Sequence, residues 1–413
     1  MSVSTMAVNP TRLAHLVTSN CLPSEAEAEQ ARGAIADALQ ELERVTDEIS
    51  KLEQRRKELN EHIHAHKGIV SPWRRLLPEL VIEIMRYCTT SKLYPSQHPE
   101  FENPFTIGQV CSAWRDIALS APSLWANVDI KVSTLSTQSQ AEALERLLQR
   151  SYPHCLELEV EYQPLQLQLQ SPAPLQVIQT IRKFSQRWRS LDIRLTGSLL
   201  EALVSSTSLP NLESLILRSS WVYDPYPPPQ THECLPRGVT FRNAPTLRKL
   251  NLVNTYLNTA TIIDCFPLEQ LTDLDIFVGR INRPTQFSGV HTARLLSRTP
   301  NLQTYRLSSV PESCLSEDYA GSALMTKPVL LPHLHTLELQ TYDRWSSIFD
   351  NLALPDLQNV RLEVSSSSWA NRWLDDPFDR LLERSQRAKI SCDMSASTFG
   401  THVHQCVIGR KAR

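Results

Sequence analysis

One six-residue phrase, leucine-x-x-leucine-x-leucine, returns through the second half of the chain. It reads Leu212-x-x-Leu215-x-Leu217, Leu247-x-x-Leu250-x-Leu252, Leu271-x-x-Leu274-x-Ile276, Leu302-x-x-Tyr305-x-Leu307, Leu334-x-x-Leu337-x-Leu339 and Leu357-x-x-Val360-x-Leu362. Trp188-x-x-Leu191-x-Ile193 is an earlier member, and Leu156-Glu157-Leu158-Glu159-Val160 begins the series. The alternation at the end of each phrase is that of a short strand with one buried face, and the leading leucine turns the chain into it. Pairs such as Leu209-Pro210, Ala244-Pro245, Thr299-Pro300, Leu331-Pro332 and Leu354-Pro355 punctuate the approaches. A unit this small cannot bury its apolar edge alone, so successive copies must stack. Their spacing runs from 23 residues (Leu334 to Leu357) to 35 (Leu212 to Leu247), which makes the stack irregular.

A different period governs residues 25–67. Taking Ile35 as heptad position a, the a series is Ile35, Leu42, Ile49, Arg56 and Ile63, and the d series is Ala38, Val45, Leu52, Leu59 and His66. Only Arg56 and His66 break this seam. The pattern predicts a long coiled-coil helix, to which self-association and packing on the chain's own downstream segments are both open. Pro72 marks its end.

Residues 71–125 carry two short apolar helical patterns. In the first, Pro78 occupies a first-turn position and Leu77, Leu80, Val81 and Ile84 follow at helical spacing. The second is Val110-Cys111-Ser112-Ala113-Trp114-Arg115-Asp116-Ile117-Ala118, closed by Pro122, Leu124 and Trp125. Together they resemble an F-box: leucine-proline, a spacer, leucine and isoleucine, then valine-cysteine-x-x-tryptophan-arginine-x-isoleucine-alanine and proline-x-leucine-tryptophan. Residues 89–107, with Pro95, Pro99 and Pro104, lengthen the link between the halves. The layout is similar to the F-box-like families of mushroom-forming fungi, which open with a coiled coil and end in poorly repeating leucine-rich segments. The resemblance implies an interface with the Skp adaptor of cullin-RING ubiquitin ligases. Leu77, Pro78, Leu80, Val81 and Ile84 would lie at or near that interface, with Val110, Cys111, Trp114, Ile117, Pro122, Leu124 and Trp125 behind or beside them.

The fold expected is α/β: a flexible N-terminus (1–24), a coiled-coil helix (25–70), a small all-α F-box (71–128), an irregular leucine-rich-repeat solenoid with a parallel sheet on its concave face (129–395), and a C-terminal tail (396–413). A chain of 413 residues accommodates such a division. Its net charge of −2 gives no global field favouring nucleic acid or an anionic membrane. The nine cysteines are scattered and never paired as C-x-x-C, the usage of a reducing compartment. With no signal-like start and no apolar run of about 20 residues, the expectation is cytosol or nucleus.

Motifs for chemistry are missing. Phosphate-cradling and dinucleotide glycine loops and the nucleophile elbow are absent. His62, His64 and His66 on the coil, and His402, His404 and Cys406 near the end, are incomplete metal sets. Neither a metal nor another cofactor is expected, and the chain is read as non-catalytic. What remains is binding. Substrate-facing candidates are the outward x positions and nearby loops: Glu213, Arg218, Trp221, Tyr223, Arg248, Asn251, Asp275, Arg306, Glu338, Arg361 and Glu363. Their mixed charge suits a protein partner better than a phosphate backbone. Arg218, Arg248, Arg306 and Arg361 would form a phosphate site if they converged. The resulting reading is a substrate-recognition subunit of an SCF-type ligase, joined through Skp to a cullin and holding a protein substrate of unspecified identity. The alternative is a coiled-coil scaffold with no ligase role.

Overall fold

Backbone hydrogen bonding stacks the leucine phrases in register. The computed structural model describes residues 21–89, 107–133, 136–163, 173–218, 235–236, 239–253, 257, 259–278, 289–309, 327–341, 346–364, 375–396 and 402–410. It divides into two units, Met1–Leu80 and Val81–Arg413.

In the first unit the main element is α1, Glu25–Ile69, a helix of 45 residues. Its start is fixed by the Glu27 carboxylate, which accepts from the backbone N–H of Ser24 at 2.8 Å and from its hydroxyl at 2.7 Å. The helix has no buried residue. Its surface is laced by i,i+3 pairs such as Arg44 with Glu41 at 2.6 Å and Arg55 with Glu58 at 3.1 Å. After Gly68 a 3-10 turn, Pro72–Arg75, leads to α2, Pro78–Thr89, within which the boundary between the units falls.

The second unit continues with α3, Ser112–Ser120, and a 3-10 turn, Pro122–Trp125. Then comes an alternating series: β1 Asn127–Ser133, α4 Gln138–Arg150, β2 Leu156–Gln163, α5 Ala173–Arg182, β3 Trp188–Arg194, α6 Gly197–Val204, β4 Ser214–Arg218, β5 Lys249–Val253, α7 Thr259–Cys265, β6 Asp273–Val278, α8 Gly289–Leu296 and β7 Thr304–Ser309. It ends with β8 Val329–Leu330, β9 Thr336–Thr341, α9 Ser346–Asp350, β10 Leu352–Ala353, β11 Asn359–Val364, α10 Asp375–Arg384, β12 Arg387–Ala396 and β13 His402–Arg410. Strands β1, β2, β3, β4, β5, β6, β7, β9 and β11 form one parallel sheet in that order, and β8 pairs with β10 separately.

Register explains the repeat. Leu191, Leu215, Leu250, Leu274, Tyr305, Leu337 and Val360 lie side by side across seven strands, and Ile193, Leu217, Leu252, Ile276, Leu307, Leu339 and Leu362 form the next row. Both rows are buried in a continuous core with Leu148, Ile178, Leu203, Ile262, Leu296 and Phe349 from the helices. The leading leucines of the six phrases are fully buried as well. A residue of this size contributes about 1.5–3 kcal/mol on burial, so the two rows outweigh any single loop.

Two ladders continue this order beyond the strands. The backbone N–H groups of Glu213, Arg248, Thr272, Gln303, His335 and Gln358 each donate to the carbonyl of the equivalent residue one phrase earlier, at 2.8–2.9 Å. Immediately before the leading leucines, side chains do the same across turns. Asn211 donates to the Gln186 carbonyl at 2.6 Å, Thr246 to Pro210 at 2.9 Å, Gln270 to Ala244 at 2.6 Å and Asn301 to Glu269 at 2.8 Å. Polar groups left by irregular spacing are thereby satisfied.

Residues 107–126 belong to the same unit as the sheet. The Trp125 indole donates to the Ala118 carbonyl at 2.8 Å, Arg150 of α4 lies over its ring at 5.6 Å, and the Ala126 carbonyl accepts from Glu157 of β2 at 2.8 Å. The stretch read as a tail over 396–413 contains β13, which pairs antiparallel with both β11 and β12 and extends the sheet past its last parallel strand. It satisfies the outer edge of β11, which a tail would have left open. No helix among the described residues is long and apolar enough to cross a membrane.

Candidate docking faces

Helix α2 has two apolar sides. Val81 and Met85, one turn apart, are 1% and 0% exposed. Leu77, Leu80 and Ile84 follow another line at i, i+3 and i+7, and there Leu77 is 63% and Leu80 50% exposed, with Ile84 half-buried. Pro78 is exposed and occupies the first helical position, where the lack of an N–H costs nothing. The inner line thus serves the fold, while the outer line presents leucine to solvent. Val81, expected at or near the interface, lies on the inner line.

The companion residues also divide. Trp114, Leu124 and Trp125 are buried, Cys111, Ile117 and Pro122 are half-buried, and Val110 is 63% exposed. Val110, read from sequence as packing behind or beside the interface, is therefore among the most accessible apolar side chains of this segment. Arg86 of α2 pairs with Glu83 at 2.6 Å.

The second face is the side of the sheet opposite the core. Asp129, Glu159, Asp192, Ile216, Asn251, Asp275, Arg306, Glu338 and Arg361 form one row across nine strands. Lys131, Glu161 and Arg194 begin the row beside it. These side chains are half-buried or exposed. Acidic groups dominate at β1 to β3, and signs alternate from β6 to β11.

Much of that charge is internally paired. Arg218 donates two hydrogen bonds to Asp192, and Arg194 donates to Glu161 at 2.6 Å. Arg306 pairs with Glu338 at 3.1 Å, and Arg189 with Glu213 at 3.0 Å. The Asp192 hydrogen bond holds the Arg218 guanidinium pKa above its ordinary value. Asp275 is raised chiefly by desolvation and further by Glu338, with Arg306 acting the other way. Asn251 donates to that carboxylate at 3.5 Å, while its own side-chain oxygen is buried without a partner.

The four arginines considered for a phosphate site do not gather. Arg248 turns to the Gln270 carbonyl at 2.8 Å, off the strand, while Arg218 and Arg306 lie three strands apart, about 14 Å at ordinary strand spacing. Glu338 separates the positions of Arg306 and Arg361. Trp221 and Tyr223 lie outside the described residues, as does the side chain of Glu363. Among the described residues no group of three or more His, Cys, Asp or Glu is arranged to hold a metal ion. Tyr305 takes a leucine place in the core; its buried hydroxyl lies beside that of Thr292, outside hydrogen-bonding geometry, and burial raises its pKa.

No family model matches the chain, and no curated protein matches it.

Proposed function

We propose that the chain is the substrate-recognition subunit of an SCF-type cullin-RING ubiquitin ligase, with the F-box-like segment binding a Skp-family adaptor. The observation that carries this reading is the exposed Leu77/Leu80 line on a helix whose other apolar side is already consumed by Val81 and Met85. A short helix gains nothing from two solvent-facing leucines. Covering each is worth about 1.5–3 kcal/mol, enough to support a complex once association costs are met.

In the same proposal the sheet and its helices are an irregular leucine-rich-repeat solenoid, and its open face receives a protein substrate. The alternating Asp275, Arg306, Glu338 and Arg361 row suits a partner that presents both signs of charge. The subunit itself performs no bond chemistry. It raises the local concentration of substrate lysines at the charged ubiquitin carrier.

The test is affinity capture of the full chain with a Skp-family adaptor and cullin present. Recovery of both supports the ligase reading. Failure of the folded chain to retain the adaptor would leave a binding scaffold instead.

A further inference from the structure

Helix α1 leaves a row of large apolar side chains in water: Ile35, Leu42, Ile49, Leu52, Leu59 and Ile63 are 47–63% exposed. Charge along the helix is uneven. Residues 25–47 hold seven carboxylates and two arginines, whereas residues 48–69 hold five Lys or Arg and four carboxylates, with His62, His64 and His66 besides. A partner matching this face should reverse that gradient, and the chain itself does so when turned end for end.

We infer that α1 pairs with α1 of a second copy as an antiparallel coiled coil centred between Ser50 and Lys51. In this register Ile49 packs beside the second copy's Leu52, Leu42 beside Leu59, Ala38 beside Ile63, and Arg56 beside Val45. The flanking g positions then oppose Glu48 to Arg55 and Glu41 to His62, each occurring twice by symmetry.

Alternatives carry like-charge contacts. Sliding the antiparallel pair one heptad in either direction sets Glu48 against Glu48 or Arg55 against Arg55. A parallel pair in register places Arg56 on Arg56 in the core and Glu48 against Glu53 at the flank. The chosen register has one marginal like pair, Arg32 with Lys67, near the ends. Arg56, read alone as a defect, lies opposite Val45, where its stem can cover apolar surface while the guanidinium reaches water. The two Ile69 residues emerge at opposite ends, about 55 Å apart at 1.5 Å per residue. None of this depends on the ligase reading.

Sedimentation of the full chain, with Glu48→Arg, Arg55→Glu, the double variant and Ile49→Asp/Leu52→Asp, tests the inference. Expected is a dimer once the concentration reaches about 100 μM. Each single charge reversal should weaken it about tenfold, and the double reversal should restore it to within about twofold. The seam variant should be monomeric, with the unfolding of Val81–Arg413 unchanged. Tighter association of Glu48→Arg would signify the parallel pair and overturn the inference. So would a wild-type monomer, single variants that match wild type, a double variant that stays weak, or a dimer that survives the seam substitutions.

Discussion

Arg218 on β4 grips Asp192 on β3 with both arms of its guanidinium, Nε at 2.8 Å from Oδ1 and Nη2 at 2.9 Å from Oδ2. The side chains are 34% and 15% exposed, so this fork is partly withdrawn from water. Removing one partner leaves the other charge poorly solvated. Arg218→Ala should therefore destabilise the sheet unit by about 1–3 kcal/mol. Arg218→Lys should recover less than half, since an ammonium cannot reproduce the planar fork. Denaturant unfolding of both variants measures it.

Asp275 titrates in the opposite sense from a stabilising carboxylate. Because desolvation raises its folded pKa, the ionised form costs stability that returns as pH falls and the carboxyl is protonated. Asp275→Asn should raise the unfolding temperature at pH 7. The gain should shrink toward zero below the ordinary carboxylate range, which thermal melts across pH will show.

Tyr305 gives a test of the phrase itself. Its hydroxyl is fully buried without a hydrogen-bond partner in a row otherwise made of Leu and Val. Tyr305→Phe should be neutral or stabilising by about 1 kcal/mol, whereas Tyr305→Ala should cost about 3–5 kcal/mol. Equilibrium unfolding separates the two.

The side-chain ladder predicts a graded effect. Asn301→Ala removes the donor to the Glu269 carbonyl and Asn211→Ala the donor to Gln186. Each should cost about 1 kcal/mol, and their separation in the stack should make the losses additive within about 0.5 kcal/mol. Chemical denaturation of the single and double variants checks both.

The leucine phrases were legible because burial on one side of a strand has a period of two and leaves a local trace. Tyr305 filled its slot as the pattern requires, and the long helix was legible for the same reason of period. Pairing across strands left no such trace: Asp192 and Arg218 are 26 residues apart, so the fork closes only after the strands align. The ladder from Asn211, Thr246, Gln270 and Asn301 did have a signal, a polar residue directly before each leading leucine, but its meaning depends on a carbonyl one turn away. β13 carries no leucine phrase, so 396–413 read as a tail. On α2, helical spacing grouped Val81 with Leu80, although adjacent helical residues point about 100° apart; only the fold distinguishes the consumed line from the open one.

Calorimetric titration of a Skp-family adaptor into the full chain, with Leu77→Asp and Leu80→Asp beside wild type, tests the central claim most directly. The account predicts binding by wild type, weakened about 100-fold or abolished by either substitution, with thermal unfolding of both variants unchanged because both leucines are exposed. No binding by the folded wild type, or equal binding by the folded variants, would contradict it.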